Sequence, residues 1–118
     1  MKINKGAYSE YAIAAFVYAA EKNYPRKAER GWEEAVRADL TAVRCVFDEL
    51  MEKKPEIVYA VMAVYKPYRG MVCHIPRRVL HERILAHAAQ SSYSEESVYR
   101  MLAKARRMFA ERRGLRTE

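Results

Sequence analysis

The sequence predicts an all-α fold: a five-helix single domain that ends in a helix-turn-helix. Three observations predict it. Gly and Pro are scarce, four each in 118 residues, whereas Ala, Glu, Lys, Arg and Met abound, a balance that favours helices with short connections. Apolar residues recur at spacings of three and four through most of the chain. With 51% hydrophobic and 31% charged residues, the composition can supply a core and excludes wholesale disorder.

The first helix is expected over residues 7–21, where Ile13, Phe16, Val17 and Ala20 fall at helical spacing and most faces are apolar. No Ala-x-Ala cleavage pattern follows it, so it reads as a helix and not as a signal peptide. Lys22 to Gly31 is polar and interrupted by Pro25, which predicts a break or short linker. A second, longer helix is expected from Trp32 to Lys54, with Val36, Leu40, Val43, Phe47 and Leu50 as its apolar line. Pro55 suits the first turn of a third helix, where its missing N–H costs nothing. Ile57, Val58, Val61, Val64 and Tyr65 give that helix a core face before Lys66-Pro67 stops it. Tyr68 to Ile75, containing Gly70, reads as a loop. Pro76 opens a fourth helix to about Gln90, with Leu80, Ile84, Leu85 and Ala88 expected inward. Ser91-Ser92-Tyr93 is the turn into the last helix. Ser94 is its N-cap, and Glu95 and Glu96 complement the positive end of its dipole. Val98, Leu102, Ala105 and Phe109 line its apolar side, and Gly114 ends it. No apolar run reaches the roughly 20 residues of a membrane span.

Charge is unevenly placed along the chain. Residues 1–65 hold ten Lys/Arg and ten acids, whereas residues 66–118 hold twelve Lys/Arg against five acids. The whole surplus of +7 therefore lies in the second half, and a field concentrated in this way attracts polyanions. It coincides with a motif. Helix-turn-helix units need a first helix that ends quickly, small residues where the helices cross, and a capped second helix anchored by an aliphatic residue about four positions on. Ala86, Ala88 and Ala89 are the small residues, Ser94 the cap and Val98 the anchor. A helix pair that only braces a bundle would share the cap and the anchor. The coinciding positive field favours a double-stranded DNA reader. Base readout is expected from Glu95, Glu96, Ser97, Tyr99 and Arg100, since Arg pairs with guanine and Glu accepts from cytosine. Phosphate contacts are expected from Arg77, Arg78, Lys104, Arg106, Arg107 and Arg113. The turn Gln90-Ser91-Ser92-Tyr93 departs from the pattern by having no glycine.

The stretch from Lys54 (KPEIVYAVMAVY) through Ser94-Glu-Glu-Ser-Val-Tyr-Arg to Phe109-Ala-Glu-Arg-Arg-Gly-Leu-Arg116 resembles phage-encoded transcriptional regulators of the RinA and ArpU type. The resemblance covers roughly the C-terminal sixty residues. It implies a sigma region-4-like helix-turn-helix, a phage or prophage regulator acting at promoters, and RNA polymerase as a protein partner. On this reading residues 55–118 form the DNA-binding part, and residues 1–54 a helical part for dimerisation or partner binding. Two alternatives stay open: a helical adaptor acting on RNA polymerase without base readout, and a recognition subunit for phage DNA packaging.

Other chemistry has little support. Cys45 and Cys73 make no disulfide framework and read as reduced thiols of a cytoplasmic protein. Cys45, beside the apolar line of the second helix, is expected to be a core thiol. His81 and His87 are six apart, which does not place two ligands on one helical face, and Cys73-His74 adds no Cys-x-x-Cys. No metal, cofactor or catalytic residue is therefore assigned, and an enzyme is not expected. The nine tyrosines are expected mainly in the core. A homodimer is expected through the apolar first helix, Tyr11 to Ala20, since two recognition helices strengthen half-site contacts.

Overall fold

The computed structural model describes residues 5–21, 30–70 and 75–115, and they form five helices: α1 (Lys5–Ala20), α2 (Arg30–Lys53), α3 (Pro55–Val64), α4 (Arg77–Ser91) and α5 (Glu95–Arg112). The expected break at Lys22 to Gly31 falls largely outside the described residues, as do Cys73 and His74. No described helix is long and apolar enough to cross a membrane.

Local chemistry explains the helix ends. Only Lys54 separates α2 from α3, and it leaves the helical region at φ −146°, ψ 71° ahead of Pro55 at the first helical position, as a residue before proline is disfavoured in the α conformation. The end of α3 would leave carbonyls unpaired. Arg83 of α4 reaches back and donates to the carbonyls of Val64 (3.0 Å), Lys66 (2.6 Å) and Pro67 (3.0 Å). A cation there also complements the negative end of the α3 dipole. Burial lowers the Arg83 pKa from its ordinary value, and Tyr68 opposes that shift.

The α4–α5 corner closes without glycine. Ser92 itself takes the left-handed conformation at φ +67°, a site where a side chain is disfavoured by about 1 kcal/mol. Ser91 Oγ donates to the His87 carbonyl at 2.6 Å, which ties off the last turn of α4. Ser94 Oγ then accepts from the Ser97 amide at 3.1 Å, so Ser94 caps α5 as its sequence context predicts. At the far end, Gly114 lies at φ +72°. Its amide donates to the Glu111 carbonyl at 3.2 Å, and the Leu115 amide donates to Ala110 at 2.8 Å. That pair of bonds is a Schellman motif, and Leu115 packs on the core as the motif requires.

One core joins all five helices. It contains Ala12, Ala15, Phe16 and Val17 of α1, Ala42, Val43, Val46 and Leu50 of α2, and Ile57, Val58, Val61 and Val64 of α3. Ile84 and Ala88 of α4 complete it, with Val98, Leu102, Ala105 and Phe109 of α5. The Phe16 ring is its centre: it stacks on Phe47 at 5.8 Å and on Tyr65 at 5.9 Å, and tilts against Phe109 at 5.7 Å. A division at Lys54–Pro55 therefore splits the chain but not its core.

Four expectations are corrected. The apolar face of α1 is covered by the chain's own helices and is not a free dimer surface; its alanines let α2 and α5 approach closely. Leu85 is 42% exposed, because α4 buries only the narrow stripe through Val79, Ile84 and Ala88, with Leu80 half-buried. On α2 the fully buried face is Ala42, Val43, Val46 and Leu50, while Val36, Leu40 and Phe47 are half-buried. Cys45 is likewise half-buried at the edge of that face, so its thiol is not a core group.

Candidate nucleic-acid interface

The turn of three residues between α4 and α5 has the length of a helix-turn-helix connection. Along α5 the buried positions Val98, Leu102, Ala105 and Phe109 follow the helical repeat. The opposite side, carrying Glu96, Arg100, Ala103, Lys104 and Arg107, is exposed. At 3.6 residues per turn these side chains form one outward stripe.

The five residues expected to read bases are held differently. Glu95, Glu96 and Arg100 are exposed, and Arg100 donates to Glu96 one turn earlier at 2.5 Å. The two side chains are about three-quarters exposed (75% and 73%), so the pair is worth about 0–1 kcal/mol and exchanges readily for another acceptor. Ser97 is half-buried and its hydroxyl accepts from Ser94 Oγ at 2.9 Å. Tyr99 is exposed along one edge, but its hydroxyl lies 2.7 Å from His81 Nδ1 of α4. Glu95 Oε1 lies 4.0 Å from the same nitrogen. Tyr99 thus ties the helix to α4, Ser97 reinforces its cap, and Glu95, Glu96 and Arg100 are its presented groups.

The six residues expected to hold phosphates also divide. Arg77, Arg78, Lys104 and Arg107 are exposed. Arg78 and Arg107 pair loosely with Glu82 (3.6 Å) and Glu111 (3.7 Å), each one turn on. Arg77 and Lys104 have no acid partner among the described residues. Arg106 and Arg113 differ from these four: both are half-buried and hydrogen-bonded within the fold. Arg106 donates to Tyr65 Oη at 2.7 Å and to Ser9 Oγ at 3.3 Å, tying α5 to α1 and the end of α3. Arg113 donates to Asp39 at 2.7 Å and to Tyr11 Oη at 3.4 Å. The hydrogen bonds that Arg113 donates to Tyr11 and Asp39 raise its pKa above the ordinary value. Both guanidiniums are thus engaged within the fold.

Two recesses flank α5. One, of about 770 Å³, lies between α1, α4 and α5, with Ile13, Leu80, Ile84 and Leu102 in its wall and Arg77, His81 and Tyr99 among its polar groups. The other, of about 460 Å³, lies where the end of α2 meets α5, lined by Leu50, Met108, Glu49, Lys53, Lys54 and Lys104 among others. Sequence reasoning missed Lys53 and Lys54, which are 51 and 50 residues from Lys104 in the chain and beside it in the fold. Comparison with protein-family models, curated proteins and solved structures found no match to this chain. Among the described residues, no three His, Cys, Asp or Glu side chains gather as a metal-binding group.

Tyr65 supplies a pH test of the Arg106 anchor. Burial raises its pKa above the ordinary 10.0, with the Arg106 charge and hydrogen bond opposing the shift. The folded chain therefore keeps the phenol proton to higher pH than the unfolded chain does. Its contribution is complete below pH 10.0 and is lost as the pH rises through the folded value. Urea midpoints measured between about pH 9 and pH 11 should fall more steeply in the native chain than in Tyr65→Phe. Parallel curves would mean that Tyr65 carries none of the alkaline loss.

Proposed function

We propose that the chain is a sequence-specific double-stranded DNA-binding protein that regulates transcription, with α5 as its recognition helix. One observation carries the reading: α5 is capped at Ser94 behind a three-residue turn, buries one side, and leaves Glu95, Glu96 and Arg100 in solvent beside Lys104 and Arg107. Arg100 pairs with guanine O6 and N7, and a free glutamate accepts from cytosine N4. Arg77, Arg78, Lys104 and Arg107 contact the phosphates. The protein acts in the compartment that holds the DNA, and no cofactor or catalytic step is needed.

The resemblance to RinA- and ArpU-type regulators supports a phage or prophage promoter as the site of action, with RNA polymerase nearby. A protein-interaction adaptor is the second reading, favoured by Tyr59 and Met62, two large apolar side chains that α3 leaves 56% exposed. A DNA-packaging recognition subunit would use the same helix, and the neighbouring genes distinguish it from a promoter regulator.

Selection of bound duplexes from a random pool tests the proposal. A defined motif is expected. Against it, Arg100→Ala should cost about 1–3 kcal/mol and relax preference at one base position. Duplex binding that is weak, sequence-blind and steeply salt-dependent would favour the adaptor.

A further inference from the structure

The outward stripe of α5 is bordered by cations from two distant parts of the chain. On one flank Arg77, at the start of α4, lines the same recess as Tyr99, Leu102 and Arg106 of α5. On the other, Lys53 and Lys54 line a recess with Lys104, Met108, Glu111 and Arg112. By the helical repeat these two sets of α5 residues lie on roughly opposite sides of the helix, with Arg100 and Arg107 between them. Lys53, Lys54 and Lys104 are all exposed. Lys54 and Lys104 have no acid partner among the described residues, and Lys53 is only 3.9 Å from Glu49 in a pair that is 73% exposed on the lysine side.

We propose that Lys53 and Lys54, at the corner between α2 and α3, form with Lys104 a second phosphate clamp that grips the duplex backbone on the flank of α5 away from Arg77. This rests on the reading of α5 as a helix lying in the major groove. A helix with its side chains is about 10–12 Å across and the groove is about 12 Å wide, so a seated α5 has a phosphate chain along each flank. Arg77 and Arg78 meet one of these chains; without the corner lysines the other would meet only Lys104 and Arg112, and Arg112 lies 4.0 Å from Glu49. Glu49 opposes the clamp. It lies between Lys53 and Arg112, at 3.9 and 4.0 Å, and lowers the local positive field. A rigid corner suits the task, because Lys54 is the single residue between two helices and its amide donates to the Leu50 carbonyl.

The test measures duplex affinity against salt for the full chain, using the selected site and an unrelated duplex. In a Lys53→Gln, Lys54→Gln variant the slope of log K on log salt should become shallower by about 1.8, and both duplexes should weaken by the same factor. Glu49→Gln, which leaves both lysines in place, should tighten both duplexes. The base preference at the Arg100 position should be unchanged in either variant. Circular dichroism verifies that the variants fold, and all three side chains lie at the surface or its edge.

An unchanged slope, in a chain whose base preference still responds to Arg100→Ala, overturns the second clamp and leaves the recognition helix intact. Equal affinity for single strands and duplexes, or no nucleic-acid binding, overturns both.

Discussion

Phe16→Ala is expected to lower stability by about 3–5 kcal/mol, the range for deleting a buried aromatic ring. Domains of this kind are stable by about 5–15 kcal/mol, so one substitution removes a large fraction of the total. The size follows from position. Phe16 is 1% exposed and touches rings from α2, from the end of α3 and from α5, so its loss leaves a cavity bounded by three helices that cannot all close on it. The location of the damage is as informative as its size. Because α1 and α2 share their core with α5, the variant should lose all five helices in one transition. Chemical unfolding followed by far-UV circular dichroism and by the fluorescence of Trp32 on α2 should give coincident curves. If α5 outlasted α2, residues 55–118 would be an independent unit. By the same reasoning, a fragment beginning at Pro55 should not fold alone, since it exposes the faces of Leu102 and Phe109 that α1 covers.

This coupling bears on the proposed function. A recognition helix reads bases only when held at a fixed angle, and α5 is held by interior packing, by the Tyr99–His81 contact and by Arg106. Loss of core residues remote from the exposed stripe should therefore weaken DNA binding through population of the unfolded chain, and leave base preference unchanged.

Much of the fold was legible in the sequence because its signals are local. The apolar spacing of α2, α3 and α5, Pro55 at a first helical position, Ser94 as a cap and Gly114 beyond a helix end each depend on a few neighbouring residues. Which partner covers a face is not a local property. The apolar run of α1 also suits a second copy of the chain, and only the fold shows α2 and α5 against it. The alternation around Leu80–Ile84–Leu85 admits two adjacent inward lines, and packing against α3 and α5 selects the one that leaves Leu85 out.

Charge was the least legible quantity. The surplus in the second half is a sum over residues, and a sum cannot separate cations that face solvent from those that serve the fold. Arg83, Arg106 and Arg113 all count toward it, yet one ties off α3 and two bind tyrosine hydroxyls. Conversely, Lys53 and Lys54 sit in the half of the chain whose charges cancel, and the packing of α2 on α5 brings them beside Lys104. The positive rim of α5 is thus assembled from both halves.

Arg113 provides the sharpest separation between a structural cation and a DNA contact. Its side chain and that of Asp39 are 25% and 17% exposed, between a solvated surface pair, worth about 0–1 kcal/mol, and a buried one, where removing one partner costs about 3–5 kcal/mol. Asp39→Ala is accordingly expected to destabilise the chain by about 2 kcal/mol. Arg113→Ala should cost less, because the Tyr11 hydroxyl still donates to the Asp39 carboxylate at 2.8 Å and keeps it partnered. The double variant should lose less than the two single losses added together, since each removes the same contact. If Arg113 instead contacted phosphate, Arg113→Ala would make the salt slope of duplex binding shallower by about 0.9 and leave folding nearly unchanged. The anchoring role predicts the reverse: a lowered unfolding midpoint, an unaltered salt slope under conditions where the variant is folded, and a loss in the same direction from Asp39→Ala, a substitution that removes no cation at all.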